Sequence, residues 1–105
     1  MQTIWKFPLE LKYEQTIEIP SASGLSPSSA KENILCVQNQ GPNEIPCLWA
    51  IVDPRHLMRK FKVYIVGTGH QIITPDINER TYIGTVQQRN GALVFHVFGQ
   101  FAQGE

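Results

Sequence analysis

Two stretches of this chain, Cys47 to Val52 and Leu93 to Phe98, are apolar at nearly every position. A strand with one face in water carries polar residues at every second place, because successive side chains point to opposite sides. Here Cys47, Trp49 and Ile51 would face one way and Leu48, Ala50 and Val52 the other. Likewise Leu93, Phe95 and Val97 oppose Val94, His96 and Phe98. Both faces of each strand need cover. Either the chain sandwiches them itself or a second copy covers one side. With only 105 residues to supply both covers, a homodimer or larger closed homo-oligomer is the favoured expectation.

Other strand-like runs recur at short intervals. They are Thr3 to Phe7 stopped by Pro8, Leu11 to Ile19 stopped by Pro20, Ile34 to Gln40, and Cys47 to Asp53 stopped by Pro54. Phe61 to Val66, Thr81 to Gln88 and Ala92 to Phe98 follow, and Gln71 to Thr74 is a short piece that could pair. Asn90-Gly91 marks a hairpin, since both positions favour positive φ. Pro54 to Lys60, with Asp53 as cap, is the place for a helical turn or two, and Ser29 to Glu32 for one more. The pattern predicts one all-β domain over residues 1–105, an antiparallel sandwich or barrel of about seven strands. A long surface loop is expected at about 21–33, where Ser, Gly and Pro replace apolar residues.

Nine basic residues balance nine acidic ones, so no global field draws the chain to nucleic acid or an anionic membrane. No apolar run approaches the roughly 18 residues of a membrane span, and Met1 to Leu9 alternates instead of forming a signal-peptide core. Cys36 and Cys47 are too few for a disulfide framework, though they would lie near each other across a hairpin turning at Gly41-Pro42. Cytoplasmic residence is the expectation.

Four segments together carry a resemblance: Ile4 to Leu9, Pro46 to Pro54, Val66 to His70, and Tyr82-Ile83-Gly84-Thr85 running into Leu93 to Phe98. They resemble a family of short uncharacterised proteins found mostly in bacteriophages and prophages. The resemblance implies a phage protein working inside a bacterial host cell, and no activity comes with it.

Candidate binding residues fall into groups, each with a bland alternative. Gly67-Thr68-Gly69-His70 could bring backbone amides and the Thr68 and His70 side chains to an anion; a tight turn needs the same glycines. Arg55, His56, Arg59, Lys60 and Lys62 form the one local charge imbalance, which suits phosphate or a solvated connection. Trp5, Trp49, Tyr64 and Tyr82 could stack on a flat ring, yet aromatics mostly pack cores and interfaces. His96 interrupts an apolar strand and needs a hydrogen-bond partner, structural or ligand. The ligand-binding set is therefore Trp49, Arg55, Arg59, Thr68, Gly69, His70, Tyr82 and His96. No nucleophile elbow, zinc-ligand pair or carboxylate pair is present, so neither enzyme activity, a metal nor a cofactor is expected.

In a phage setting this points to a counter-defence protein that sequesters a small anionic, nucleotide-like host signalling molecule. The alternatives are a protein-binding inhibitor of a host defence or regulatory protein, or a minor virion component.

Overall fold

Alternation sets the architecture. In the computed structural model, which describes residues 1–21 and 30–102, the main strand-like runs become seven strands. They are β1 (Thr3–Pro8), β2 (Glu14–Pro20), β3 (Ile34–Gln40), β4 (Ile45–Val52), β5 (Met58–Gly67), β6 (Thr81–Gln88) and β7 (Leu93–Phe101). A three-stranded sheet, in the order β1-β4-β3, faces a four-stranded sheet in the order β2-β5-β7-β6, and every pairing is antiparallel. The fold is an all-β sandwich.

The core lies between the sheets. Val37, Leu48, Ala50 and Val52 project from the first sheet, and Ile19, Phe61, Val63, Ile65, Val86, Val97 and Phe101 from the second. Leu48, Ala50 and Val52 thus fill the inner face of β4, and Cys47, Trp49 and Ile51 take the outer. In β7, Phe95, Val97 and Phe101 belong to the core, so His96 and Phe98 face outward. Phe61 and Phe101 pair across β5 and β7 with rings 4.9 Å apart in an edge-on arrangement. The Phe61 ring lies over Gly99, where a Cβ would come within 2.5 Å of its Cζ and 2.9 Å of the Lys62 carbonyl oxygen.

Strands β3 and β6 close one side of the sandwich. The Asn39 side-chain amide donates to the Gln87 carbonyl, and Gln88 Nε2 donates to the Glu44 carbonyl at 2.7 Å. Glu44 Oε1 accepts the Arg89 N–H at 3.0 Å, tying the tip of the β3–β4 hairpin to that of the β6–β7 hairpin. The second hairpin turns at Asn90-Gly91 with the expected positive φ, but Arg89 shares it, and Gln88↔Leu93 pairing makes the loop four residues long.

Several local expectations are corrected. Pro54 to Lys60 forms no helix: Pro54 to His56 is a turn and Met58 already opens β5, whose backbone is committed to pairing with β2. Gln71 to Thr74 does not pair as a strand; the Ile73 and Thr74 amides bond to the Tyr13 hydroxyl at 3.1 and 2.8 Å instead. A 3₁₀ turn, Ile77–Glu79, precedes β6. Of the expected surface loop, residues 22–29 lie outside the described residues. Its described flanks, Ser21, Ala30 and Asn33, are buried, the last two in a short helix α1 (Ala30–Asn33). Cys36 and Cys47 share the outer face of adjacent strands but sit diagonally, since Cys36 pairs with Trp49 and Cys47 with Gln38; both are free thiols. Among the described residues no helix is long and apolar enough to cross a membrane.

Of the glycines among the described residues, Gly99 leaves the least room for a Cβ, which would meet backbone as well as a ring. Gly99→Ala should cost about 1–3 kcal/mol, the usual penalty for overpacking, in denaturant unfolding. An unchanged midpoint would contradict the packing described.

Candidate functional site

The outer face of the four-stranded sheet carries an organised polar cluster, and a β-bulge creates it. Pairing of β6 with β7 shifts register between Tyr82 and Gly84, so that Ile83 is the extra residue. In an unbroken strand Tyr82 and Thr85 would point to opposite faces. With the bulge, Tyr82 lies opposite Phe98 and Thr85 opposite His96, all on the outer side. Ile83 packs against the core instead.

His96 is the hub. Its Nε2 is 2.7 Å from the Thr68 hydroxyl and its Nδ1 3.1 Å from the Thr85 hydroxyl. Tyr82 extends the chain with a short hydrogen bond from its hydroxyl to Thr85 Oγ1. Three strand ends therefore converge on one imidazole: Thr68 follows β5, Thr85 and Tyr82 stand on β6, and His96 stands on β7. The partner that an interrupting histidine requires is supplied twice.

Beside this chain runs a row of rings. Tyr82 and Phe98 meet at 5.6 Å between centroids, edge to face. Phe98 also pairs with Tyr64, whose ring meets Tyr13 at 6.5 Å and lies 5.5 Å from the Arg80 guanidinium carbon. Tyr64 and Val66 are buried on this outer face, although no sheet covers them. Arg80 has an extended backbone and precedes β6, which sets it on the same side as Tyr82. Its Nε is buried without a hydrogen-bond partner, and no carboxylate pairs with it among the described residues.

At the end of the sheet, Thr68, Gly69 and His70 form a turn. The His70 N–H bonds to the Gly67 carbonyl and the Thr68 N–H to the Val94 carbonyl, both at 3.0 Å. Those two amides are spent on the fold and are not free to cradle an anion. Gly69 takes φ +85°, as a tight turn requires. The His70 ring packs over Gly67 between two shallow grooves of about 200 and 280 Å³. The first is lined by Lys12, Tyr13 and Val66, the second by Thr68, Leu93 and Val94, among others.

Of the eight residues expected to bind ligand, Thr68, Tyr82 and His96 are joined through Thr85 in one hydrogen-bonded chain, while Gly69 and His70 follow Thr68 in the turn, with the His70 ring on the core side of Gly67. The other three lie apart from it. Trp49 is on the outer face of the opposite sheet, with the Lys6 ammonium 5.7 Å from its ring centroid. Arg59 is the second residue of β5 and Thr68 follows its end, roughly 30 Å apart along a strand rising about 3.3 Å per residue. The Arg59 guanidinium donates to the Ser21 carbonyl at 3.0 Å. Arg55 grips Asp53 in a bidentate pair, Nε and Nη2 each 3.1 Å from a carboxylate oxygen. His56 is 3.6 Å from the same carboxylate. Arg55, His56 and Arg59 are thus engaged in contacts within the fold, away from the His96 cluster. Arg80, Thr85 and Phe98 join the site unforeseen; an Arg and a Tyr two residues apart at the start of a strand were the available signal for the first.

Chemically, the cluster is suited to binding. A hydroxyl 2.7 Å from an imidazole is half of a nucleophile–base arrangement. The other ring nitrogen, however, meets the Thr85 hydroxyl where a carboxylate would be needed to stabilise an imidazolium. Hydroxyl hydrogens rotate, so Thr68, Thr85 and Tyr82 can each donate to or accept from a visitor. Among the described residues, no three His, Cys, Asp or Glu side chains are grouped to hold a metal ion.

The Arg55 side chain, followed in effect by its backbone N–H, holds the Asp53 carboxyl far below the usual carboxylate range, against the opposing pull of desolvation. A depressed folded pKa contributes stability that is fully present above about pH 4 and lost as pH falls below it. Asp53→Asn should therefore lower the melting temperature by a few degrees at pH 7, with the gap to the parent narrowing in acid. A gap independent of pH would contradict the assignment. At Tyr13, desolvation resists ionisation of the phenol, but the contacts from Thr74 and Ile73 outweigh it and lower its pKa. Tyr13→Phe should speed hydrogen exchange at the Ile73 and Thr74 amides roughly five- to tenfold, the worth of about one hydrogen bond. Unchanged exchange there would show that the phenol does not hold this segment.

Comparison with the curated proteins found no match, and comparison with the solved structures found none either. The whole chain, residues 1–105, matches the family described as a domain of unknown function, DUF7352. The chain belongs to the DUF7352 family.

Proposed function

We propose that this protein is a binding protein, not an enzyme, that sequesters a small anionic molecule carrying a planar ring. The observation that supports it is the hydroxyl–imidazole chain Thr68–His96–Thr85–Tyr82 on an outer sheet face, next to a guanidinium with no carboxylate. A buried, unsatisfied donor such as Arg80 Nε costs free energy unless something is gained by it. A ligand that sets an anionic group against the rest of the Arg80 guanidinium and reaches to His96, roughly 13 Å away along strands rising about 3.3 Å per residue, supplies the gain, because charge-assisted hydrogen bonds are about twice as strong as neutral ones. The exposed edge of Tyr82 and the Phe98 ring offer a stacking surface for the planar part. A nucleotide combines both features. In the phage setting that the sequence motifs resemble, the molecule is a host signalling nucleotide and the function is counter-defence in the host cytoplasm.

Isothermal titration calorimetry of the full chain against cyclic nucleotides and adenosine diphosphate ribose should give saturable heat with at least one. Arg80→Ala and His96→Ala should each weaken that binding by tenfold or more, since a hydrogen bond to a charged group contributes about 1.5–3 kcal/mol. Trp49→Phe, on the other sheet, should leave it unchanged. No heat with any of these compounds at high protein concentration, or binding indifferent to both site variants, would overturn the proposal.

A further inference from the structure

Strand β1 lies at the edge of its sheet, and among the described residues nothing pairs with its other side. Five of its six residues are exposed. Ile4 on the outer face is 57% exposed, and Trp5, on the inner face but beyond the reach of the second sheet, is 37% exposed. An edge of this kind invites another strand, and most proteins blunt it. Here Lys6 and Pro8, residue types that blunt edges, stand toward the end of the strand, and the stretch around Ile4 is left open. The Leu9 N–H donates to the Pro46 carbonyl at 2.8 Å, and the register runs unbroken from Thr3↔Val52 to Pro8↔Cys47. Antiparallel ladders alternate bonded and non-bonded pairs. Thr3, Trp5 and Phe7 therefore bond to β4, and Ile4, Lys6 and Pro8 turn their backbone groups to the free side. Pro8, which has no N–H, falls where the existing ladder loses nothing.

We propose that this edge pairs with the β1 edge of a second copy, antiparallel about a two-fold axis, to join the two three-stranded sheets into one of six strands. A two-fold perpendicular to the sheet keeps outer face against outer face, so only registers centred on a residue are allowed. Centring on Lys6 would set two ammonium groups directly opposite, which is destabilising. Centring on Ile4 shortens the overlap. Centring on Trp5 sets Ile4 opposite the partner's Lys6 and Lys6 opposite the partner's Ile4, using the free N–H and C=O groups of both. Trp5 then stands against the partner's Trp5 in a non-bonded pair. The Lys6 head is drawn away from the seam, donating to Gln40 Oε1 at 3.1 Å across Trp49. Zero net charge removes the long-range repulsion that would oppose self-association. A second copy suits this edge because the Trp5-centred register matches the free backbone groups of Ile4 and Lys6 on one strand to those of Lys6 and Ile4 on the other, and keeps the two ammonium groups from standing opposite each other.

Sedimentation equilibrium of the full chain should show a reversible dimer of twice the 11.9 kDa chain mass. Ile4→Lys places like charges opposite each other twice across the axis and should weaken the dimer about tenfold, whereas Ile4→Glu should strengthen it. Circular dichroism would confirm that both variants fold. In a background of Cys36→Ser and Cys47→Ser, Trp5→Cys should form an intermolecular disulfide under mild oxidant, because non-bonded pairs bring Cα atoms to about 4.5 Å. Lys6→Cys should not. A monomer at all concentrations, a dimer indifferent to the charge at position 4, or cross-linking through Lys6→Cys in place of Trp5→Cys would each overturn the proposal.

Discussion

One register governs both the core and the candidate site: that of β7 held between β5 and β6. Side chains on a strand alternate faces, so the pairing that buries Phe95, Val97 and Phe101 is the same pairing that presents His96 and Phe98 outside. A slip by one residue would bury the imidazole and expose the core valine. The hydrophobic cost of that exchange, about 1.5–3 kcal/mol for each large apolar side chain moved into water, is what holds the hydroxyl–imidazole chain in place. The geometry of the cluster is a by-product of core packing and needs no dedicated scaffold.

The bulge at Ile83 is the second half of the same arrangement. Regular alternation on β6 would have aligned either Tyr82 or Thr85 with β7's outer face, but not both. One extra residue brings them to the same side and returns the following positions, Gly84 and Val86, to the core side. Gly84 there passes close to Val37 of β3, where a Cβ would sit 2.9 Å from Val37 Cγ1, so the bulged strand also closes against the other sheet. Ligand face and proposed dimer seam lie on different sheets. Association through β1 would leave both copies of the His96 cluster open.

Much of this was readable in the residues. The doubly apolar runs at Trp49 and Phe95 predicted strands with both faces in use, and the two sets on each strand do fall on opposite faces. Proline and Asn-Gly punctuation placed most strand ends within a few residues. The expectation that sheet layers would cover both faces was too simple. Tyr64 and Val66 are buried on the outside with Tyr13 and Arg80 against the Tyr64 ring, a cover assembled from a strand's leading residue and a residue at the next strand's threshold. What the residues could not reveal was distance along β5. Arg59 and Thr68 are near in sequence, and only the extended conformation separates them. The bulge was equally hidden, because an inserted residue changes no pattern until the partner strand is known. Hence Thr85, three places from Tyr82, gave no sign of belonging beside it.

The claim that one register sets both faces of β7 is tested most directly by nuclear Overhauser contacts in the labelled protein. The account predicts contacts from the His96 ring protons to the methyl groups of both Thr68 and Thr85, together with contacts between the methyl groups of Val97 and Ile65. Finding the His96 ring among the core methyl groups, with Val97 open to solvent, would contradict it.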